Sequence, residues 1–201
     1  WKETGGGGAF QNCTALTSVV FEGDNLSKIN LNTFNGCSAL SSIELPESLE
    51  KIEYNAFDDC SALKSIVIPD KVTYIGEGAF LNRTGLQEAY IGDGVTEIAA
   101  KAFAECTALK TVVIGKSIQR IGDQAFNTRS SWDQMTLEKI TVLFDDIASG
   151  SFPVLESGSR GVFPKPGGWD LVSYKIYVPK GTKAEYQKNW SDYSSLIVEM
   201  Q

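Results

Sequence analysis

The sequence Ala-Phe-Asp-Asp-Cys-Ser-Ala-Leu-Lys-Ser-Ile-Val-Ile-Pro-Asp-Lys-Val-Thr-Tyr-Ile, residues 56 to 75, recurs with substitutions through most of the chain. The phenylalanine of each copy lies 23 or 24 residues after the previous one, at Phe10, Phe34, Phe57, Phe80, Phe103 and Phe126. A fixed period of this length is typical of a solenoid, in which each repeat buries its apolar side chains against its neighbours. The repeat therefore predicts a β-rich solenoid of about six to seven coils.

Apolar alternation locates the main strand within each repeat. At residues 65 to 68, Ile66 and Ile68 alternate with Ser65 and Val67, so a strand with its isoleucines inward is predicted. A proline or glycine follows and ends the strand. The Ala-Phe-x-x-Cys segment is too short for a helix and predicts a short 3₁₀ turn. The coils should therefore present a parallel β-sheet whose alternate side chains face outward.

The outward positions of the predicted strands form two columns along the solenoid. One holds Ser18, Ser42, Ser65, Glu88, Thr111 and Lys139, and the other holds Val20, Glu44, Val67, Tyr90, Val113 and Thr141. Such surface positions vary without harm to the core and can carry specificity. The candidate ligand-binding residues are Glu44, Val67, Glu88, Tyr90, Thr111, Val113 and Trp132, the last in an insertion of the sixth repeat. The alternative is that these residues simply suit a solvated sheet.

Tyr90 with Glu88 is the predicted hot spot of this surface. An exposed aromatic side chain supplies contact area at a low cost in conformational entropy. Trp132 is the second aromatic candidate, whereas Trp190 is expected to pack in the C-terminal part of the chain.

The cysteines follow the repeat. Cys13, Cys37, Cys60 and Cys106 each lie three residues after a repeat phenylalanine, and Arg83 and Arg129 occupy this position in the fourth and sixth repeats. Stacked cysteines in neighbouring coils would be close enough for a disulfide. Their shared inward position instead favours buried free thiols, because cysteine behaves there as a small apolar side chain.

Composition excludes several classes of function. The chain has no histidine, so Ser-His-Asp and Cys-His catalytic arrangements are excluded within it. The carboxylate pairs Asp58-Asp59 and Asp145-Asp146 are interpreted as turn residues, since a glycosidase needs two carboxylates held apart across a cleft. We therefore expect no enzyme activity, no cofactor and no metal site.

Charge and hydropathy limit the classes of binding partner that we expect. The net charge of −7 disfavours nucleic acid, which is bound through lysine and arginine. The sequence is 42% hydrophobic yet has no apolar run approaching the roughly 18 residues of a membrane helix, so no membrane insertion is expected. The expected partner is an extracellular protein or glycan, bound by a monomer.

The end of the chain departs from the repeat. Residues 1–8 are interpreted as a flexible or truncated segment, 9–145 as the repeats, and 146–201 as a degenerate last coil and a C-terminal cap, in one structural domain. The spacing of Ile147 and Phe152 predicts a seventh coil. Thr182 is a candidate N-cap of a short helix that places Tyr186 and Trp190 on one face, and residues 196–198 predict a last strand.

The pattern Ala-Phe-x-x-Cys-x-x-Leu-x-x-Ile-x-Ile-Pro-x-x-Val-x-x-Ile resembles the BspA-type leucine-rich repeat of bacterial cell-surface proteins. The resemblance covers residues 9 to about 145, and residues 175–182, Lys-Ile-Tyr-Val-Pro-Lys-Gly-Thr, are similar to the segment that often closes such repeats. It implies a right-handed leucine-rich-repeat superhelix with a C-terminal α+β cap, located outside the cell or on its surface. It also implies adhesion to host or neighbouring-cell macromolecules through the strand face. The alternative is a structural spacer that holds another domain away from the cell surface.

Overall fold

Each repeat folds into one coil with a strand on two opposite sides. The computed structural model describes residues 8–23, 25–128, 136–146, 152–156, 161–164 and 174–201. The first strand of each coil lies in a front sheet and the shorter second strand in a back sheet. This arrangement confirms the predicted solenoid.

Every strand pair in the described part of the chain is parallel and joins strands of neighbouring coils. The front strands are β1 (Ser18–Val19), β3 (Ser42–Ile43), β5 (Ser65–Ile68), β7 (Glu88–Ile91), β9 (Thr111–Ile114), β11 (Lys139–Val142), β13 (Lys175–Val178) and β14 (Ile197–Glu199). The back strands are β2 (Lys28–Ile29), β4 (Lys51–Ile52), β6 (Tyr74–Ile75), β8 (Glu97–Ile98), β10 (Arg120–Ile121) and β12 (Val154–Leu155). In the front, β1 pairs with β3, and β5 to β14 form one six-stranded sheet.

The repeat phenylalanines form a continuous stack through the core. Neighbouring ring centroids from Phe10 to Phe126 lie 4.8 to 5.4 Å apart. Their planes differ by 4° to 17°, so the rings are offset and nearly parallel. The interior members are buried, whereas Phe10 at the end of the stack is 44% exposed. Each interior ring is therefore covered by the coils on both sides.

The stack continues past Phe126 to Phe163 and not to Phe152, whose spacing from Ile147 predicted the seventh coil. The Phe163 centroid lies 5.5 Å from that of Phe126, with 13° between the planes. Phe152 instead makes an edge contact with Tyr186 at 4.7 Å. Ile147, the other residue of that prediction, lies outside the described residues.

The register of β12 explains the shift to Phe163. Leu155 pairs with Ile121, so the back strand of the last coil comes after Phe152 in the chain. The phenylalanine of a coil follows its back strand, which leaves Phe163 to continue the stack. The insertion therefore moves the repeat phenylalanine to a later position in the sequence, while its ring keeps its place in the stack.

The corners around the phenylalanines consist of single turns closed by hydrogen bonds between residues three apart, such as Cys60 N–H to Phe57 O at 3.4 Å. Asn55 and Asp59, on either side, have φ of 50° and 58°. Asparagine and aspartate tolerate this left-handed conformation better than most residues. With a left-handed residue on either side of the turn, the Phe57 N–H points toward the next coil, where it donates to Ala79 O at 2.8 Å.

Three of the four cysteines are buried free thiols, as predicted. Each donates from Sγ to the phenylalanine carbonyl of an earlier coil; for Cys60 the acceptor is Phe34 O at 3.0 Å. Burial raises the pKa of Cys60 to about 11 and that of Cys106 to about 12, so both stay protonated at neutral pH. Cys13 is exposed, and the prediction was wrong there because no described coil covers the outer side of the first coil.

Arg83 replaces the thiol in the fourth coil and is fully buried. Its Nε donates to Phe57 O at 2.8 Å, the role that Sγ has elsewhere, and its Nη1 donates to Cys60 O at 3.2 Å. The guanidinium carbon lies 5.4 and 5.3 Å from the ring centroids of Phe57 and Phe80. It forms no ion pair with a carboxylate in the described part of the chain, and its burial lowers the pKa of the guanidinium.

The C-terminal end closes the solenoid. Helix α1 (Lys183–Asn189) is followed by a 3₁₀ segment (Ser191–Leu196) and by β14, which pairs with β13. Strand β14 begins one residue later than the predicted strand at 196–198. Tyr186 and Trp190 are buried and meet edge to face at 4.9 Å, as their spacing predicted. Thr182 occupies the N-cap position, but its hydroxyl donates to Pro179 O at 2.7 Å and does not cap the helix.

Candidate binding surface

The outer face of the six-stranded front sheet is the candidate functional surface, and strand register fixes its two columns. The polar column contains Ser65, Glu88, Thr111, Lys139 and Lys175. The apolar column contains Val67, Tyr90, Val113, Thr141 and Tyr177. Side chains between them, such as Ile66 and Ala89, are buried. The register therefore confirms the predicted alignment from β5 to β11 and extends it by one strand, β13.

The predicted ligand-binding residues differ in position and exposure. Val67 is 63% and Tyr90 39% exposed, Glu88 is exposed, and Thr111 and Val113 are half-buried. Glu44 is exposed after β3, outside the six-stranded sheet. Trp132 lies outside the described residues. The sheet thus brings five of the seven together on one face.

Tyr90 and Glu88 form a small polar cluster on β7. The Tyr90 hydroxyl donates to Glu88 Oε2 at 3.2 Å. The negative charge of Glu88 raises the pKa of Tyr90, because it disfavours the phenolate. Tyr90 therefore offers a neutral ring held in place by its neighbour, which suits contact with a partner.

Lys175 and Tyr177 were missed as surface residues. The Lys139 ammonium lies 5.0 Å from the Tyr177 ring centroid, a cation–π contact across two strands. The signal was present in the sequence, since Lys-Ile-Tyr-Val-Pro at 175–179 follows the same pattern as Ser-Ile-Val-Ile-Pro at 65–69. The insertions before β13 hid its membership of the same columns.

The back sheet differs in its surface charges. Lys28 pairs with Glu53 at 3.0 Å. Arg120 pairs with Glu97 and Glu156, both at 3.2 Å. These cations have carboxylate partners from this chain and are in part already neutralised.

Other kinds of site find no support in the described residues. Within those ranges no cluster of three or more Cys, Asp or Glu side chains is arranged to hold a metal ion. None of the helices described there has the length and apolar character needed to cross a membrane.

A family model described as the BspA type leucine rich repeat region matches residues 4–133 in six copies. No curated protein matches the sequence significantly. The match covers most of the coils whose stacked phenylalanines and parallel strands are described above.

Three solved structures have a similar fold. The Treponema pallidum leucine rich repeat protein TpLRR is 25% identical over 71% of this chain and 72% of its own, with a TM-score of 0.60. A leucine rich cell surface protein from Faecalibacterium prausnitzii is 25% identical over 85% of this chain and 51% of its own, also with a TM-score of 0.60. The pneumococcal vaccine antigen PcpA, 22% identical over 92% of this chain and 42% of its own, has a TM-score of 0.69 and shows likeness of fold alone. The chain belongs to the BspA-type leucine-rich repeat family.

Proposed function

We propose that this domain is a non-enzymatic binding module of a bacterial surface protein and that it adheres to extracellular macromolecules through the outer face of its front sheet. The observation that carries the proposal is the apolar column. Val67 and Tyr90 are aligned on neighbouring strands and exposed to solvent, although the same positions tolerate polar residues. A contiguous exposed apolar surface is typical of an interaction site.

The surface location rests on similarity. The Faecalibacterium prausnitzii relative is described as a leucine rich cell surface protein, and this chain aligns with about half of it. A rigid solenoid that presents a flat sheet is suited to contact a macromolecule over several coils. A structural spacer has no need for such a column.

The test is binding of the purified chain to a panel of extracellular-matrix proteins, mucins and glycans. The front variant carries Tyr90→Ala and Glu88→Ala. The matched control carries Tyr54→Ala and Glu77→Ala, which remove an exposed tyrosine and an exposed glutamate beside the back strands. We expect saturable binding that the front variant weakens at least about tenfold, as loss of a hot spot does.

The control variant should bind like the wild-type chain. Equal losses in both variants would place the contact elsewhere. Failure of the wild-type chain to bind any member of the panel would favour the spacer interpretation.

A further inference from the structure

Two lysines lie side by side on the front sheet with no carboxylate partner among the described residues. Lys139 and Lys175, the lysine pair, are register partners on β11 and β13, and both are exposed. Backbones of neighbouring strands are about 4.8 Å apart, and like charges placed side by side at this distance destabilise a sheet. Lys139 contacts the Tyr177 ring, and neither lysine forms an ion pair with a described residue.

The charge of this face is opposite to that of the whole molecule. The chain has a net charge of −7. On β5, β7, β9, β11 and β13, together with the residue before each strand, the charged side chains are four lysines and two glutamates: Lys64, Lys110, Lys139, Lys175, Glu88 and Glu138. Glu138 is already paired with Lys110 at 3.3 Å. The uncompensated positive charge is therefore concentrated at the lysine pair.

An apolar surface borders the lysine pair. Val113 and Tyr177, both half-buried, lie on either side of the buried Thr141 in the column beside it, and the half-buried Val198 of β14 is in register with Tyr177. Aliphatic side chains such as valine match the apolar side chains of a polypeptide, whereas a polyanionic sugar chain offers them little. The two ammonium groups offer six N–H donors to carboxylate oxygens.

We propose, on the basis of the proposed function, that the C-terminal half of the front face binds an acidic protein segment. Its carboxylates pair with Lys139 and Lys175, and its apolar side chains cover Val113 and Tyr177. The charges on the two surfaces are complementary, which favours association and selects against basic partners. Screening by salt should weaken the binding, because the lysine pair is exposed.

A random peptide library tests this inference without a known partner. The library is selected on the immobilised chain and counter-selected on a Lys139→Gln, Lys175→Gln variant. The matched control is Lys51→Gln, Lys71→Gln, which removes two exposed lysines away from the front sheet. Thermal unfolding of both variants checks that each retains the fold.

We expect the enriched peptides to contain more Asp and Glu than the starting library, with apolar residues among them. A synthetic enriched peptide should bind the lysine-pair variant at least about tenfold more weakly than the wild type, and the control variant equally well. Binding to the wild type should fall as salt is raised.

Enrichment of neutral or basic peptides would overturn the inference. Hyaluronate is an acidic glycan. The inference would also be overturned if the lysine-pair variant lost binding to hyaluronate while its peptide binding was unchanged, because the partner would then be an acidic glycan. If no peptide that depends on the lysine pair survived the counter-selection, while panel binding depended on Tyr90, the inference would be overturned and the proposed function would stand. If neither the library nor the extracellular panel gave a binder that depends on the front face, the inference and the proposed function would both be wrong.

Discussion

Replacement of Phe80 by alanine is expected to lower the free energy of unfolding by about 3 to 5 kcal/mol. Phe80 is fully buried, and its ring stacks on Phe57 at 5.2 Å and on Phe103 at 4.8 Å. The substitution removes both contacts and opens a cavity between two coils that the backbone ladders hold at fixed spacing. Chemical denaturation followed by circular dichroism gives the free energy.

Phe10→Ala is the matched control for this prediction. Phe10 ends the same stack with one neighbour, at 5.4 Å, and is 44% exposed. Its loss should cost less than half as much as the loss of Phe80. A cost below about 1 kcal/mol at Phe80 would contradict the stacked core.

Replacement of Arg83 by lysine should cost about 2 to 4 kcal/mol, although it conserves the charge. The guanidinium uses Nε and Nη1 to reach two carbonyl groups at once and lies beside two phenylalanine rings. A lysine ammonium cannot reproduce this planar arrangement and would be buried with poorer hydrogen bonds. Urea denaturation of the two proteins measures the difference.

The stability of the Arg83→Lys variant should also depend on pH, in a way that reports the burial of the new lysine. Burial lowers the pKa of a lysine below its ordinary value of about 10.4, so the unfolded chain binds more protons than the folded one. Its stability relative to the wild type should therefore rise between about pH 7 and about pH 9. Arg83→Cys, which introduces the cysteine found at this position in four of the other repeats, should lose less stability than the lysine variant. A lysine variant as stable as the wild type at every pH would mean that position 83 is solvated.

Much of the fold follows from the sequence because every coil repeats the same local choices. The spacing from Phe57 to Phe80 and the alternation at 65 to 68 define the stack, the inward residues and the parallel register. The prediction failed where the period is interrupted. Phe152 keeps a plausible spacing, but only the register of Leu155 with Ile121 shows that Phe163 continues the stack.

The binding surface was predictable in part. Tyr90 and Val67 could be assigned to one face because a strand alternates its side chains. Lys175 lies 36 residues after Lys139 in the sequence, so their register on neighbouring strands depends on how the intervening insertions fold. The exposure of Cys13 likewise depends on its place in the first described coil, which its position in the repeat alone does not specify.

Lysine footprinting tests most directly whether the front face is the contact surface. The chain is acetylated by a limiting amount of reagent, with and without a partner from the extracellular panel, and each lysine is quantified by mass spectrometry. Exposed lysines occur on the front face at Lys64, Lys110, Lys139 and Lys175 and elsewhere at Lys51, Lys71, Lys101 and Lys183. We expect the strongest protection at Lys139 and Lys175, with no change at the exposed lysines outside the front face. Protection centred on Lys51 and Lys71, with the front lysines unchanged, would contradict it.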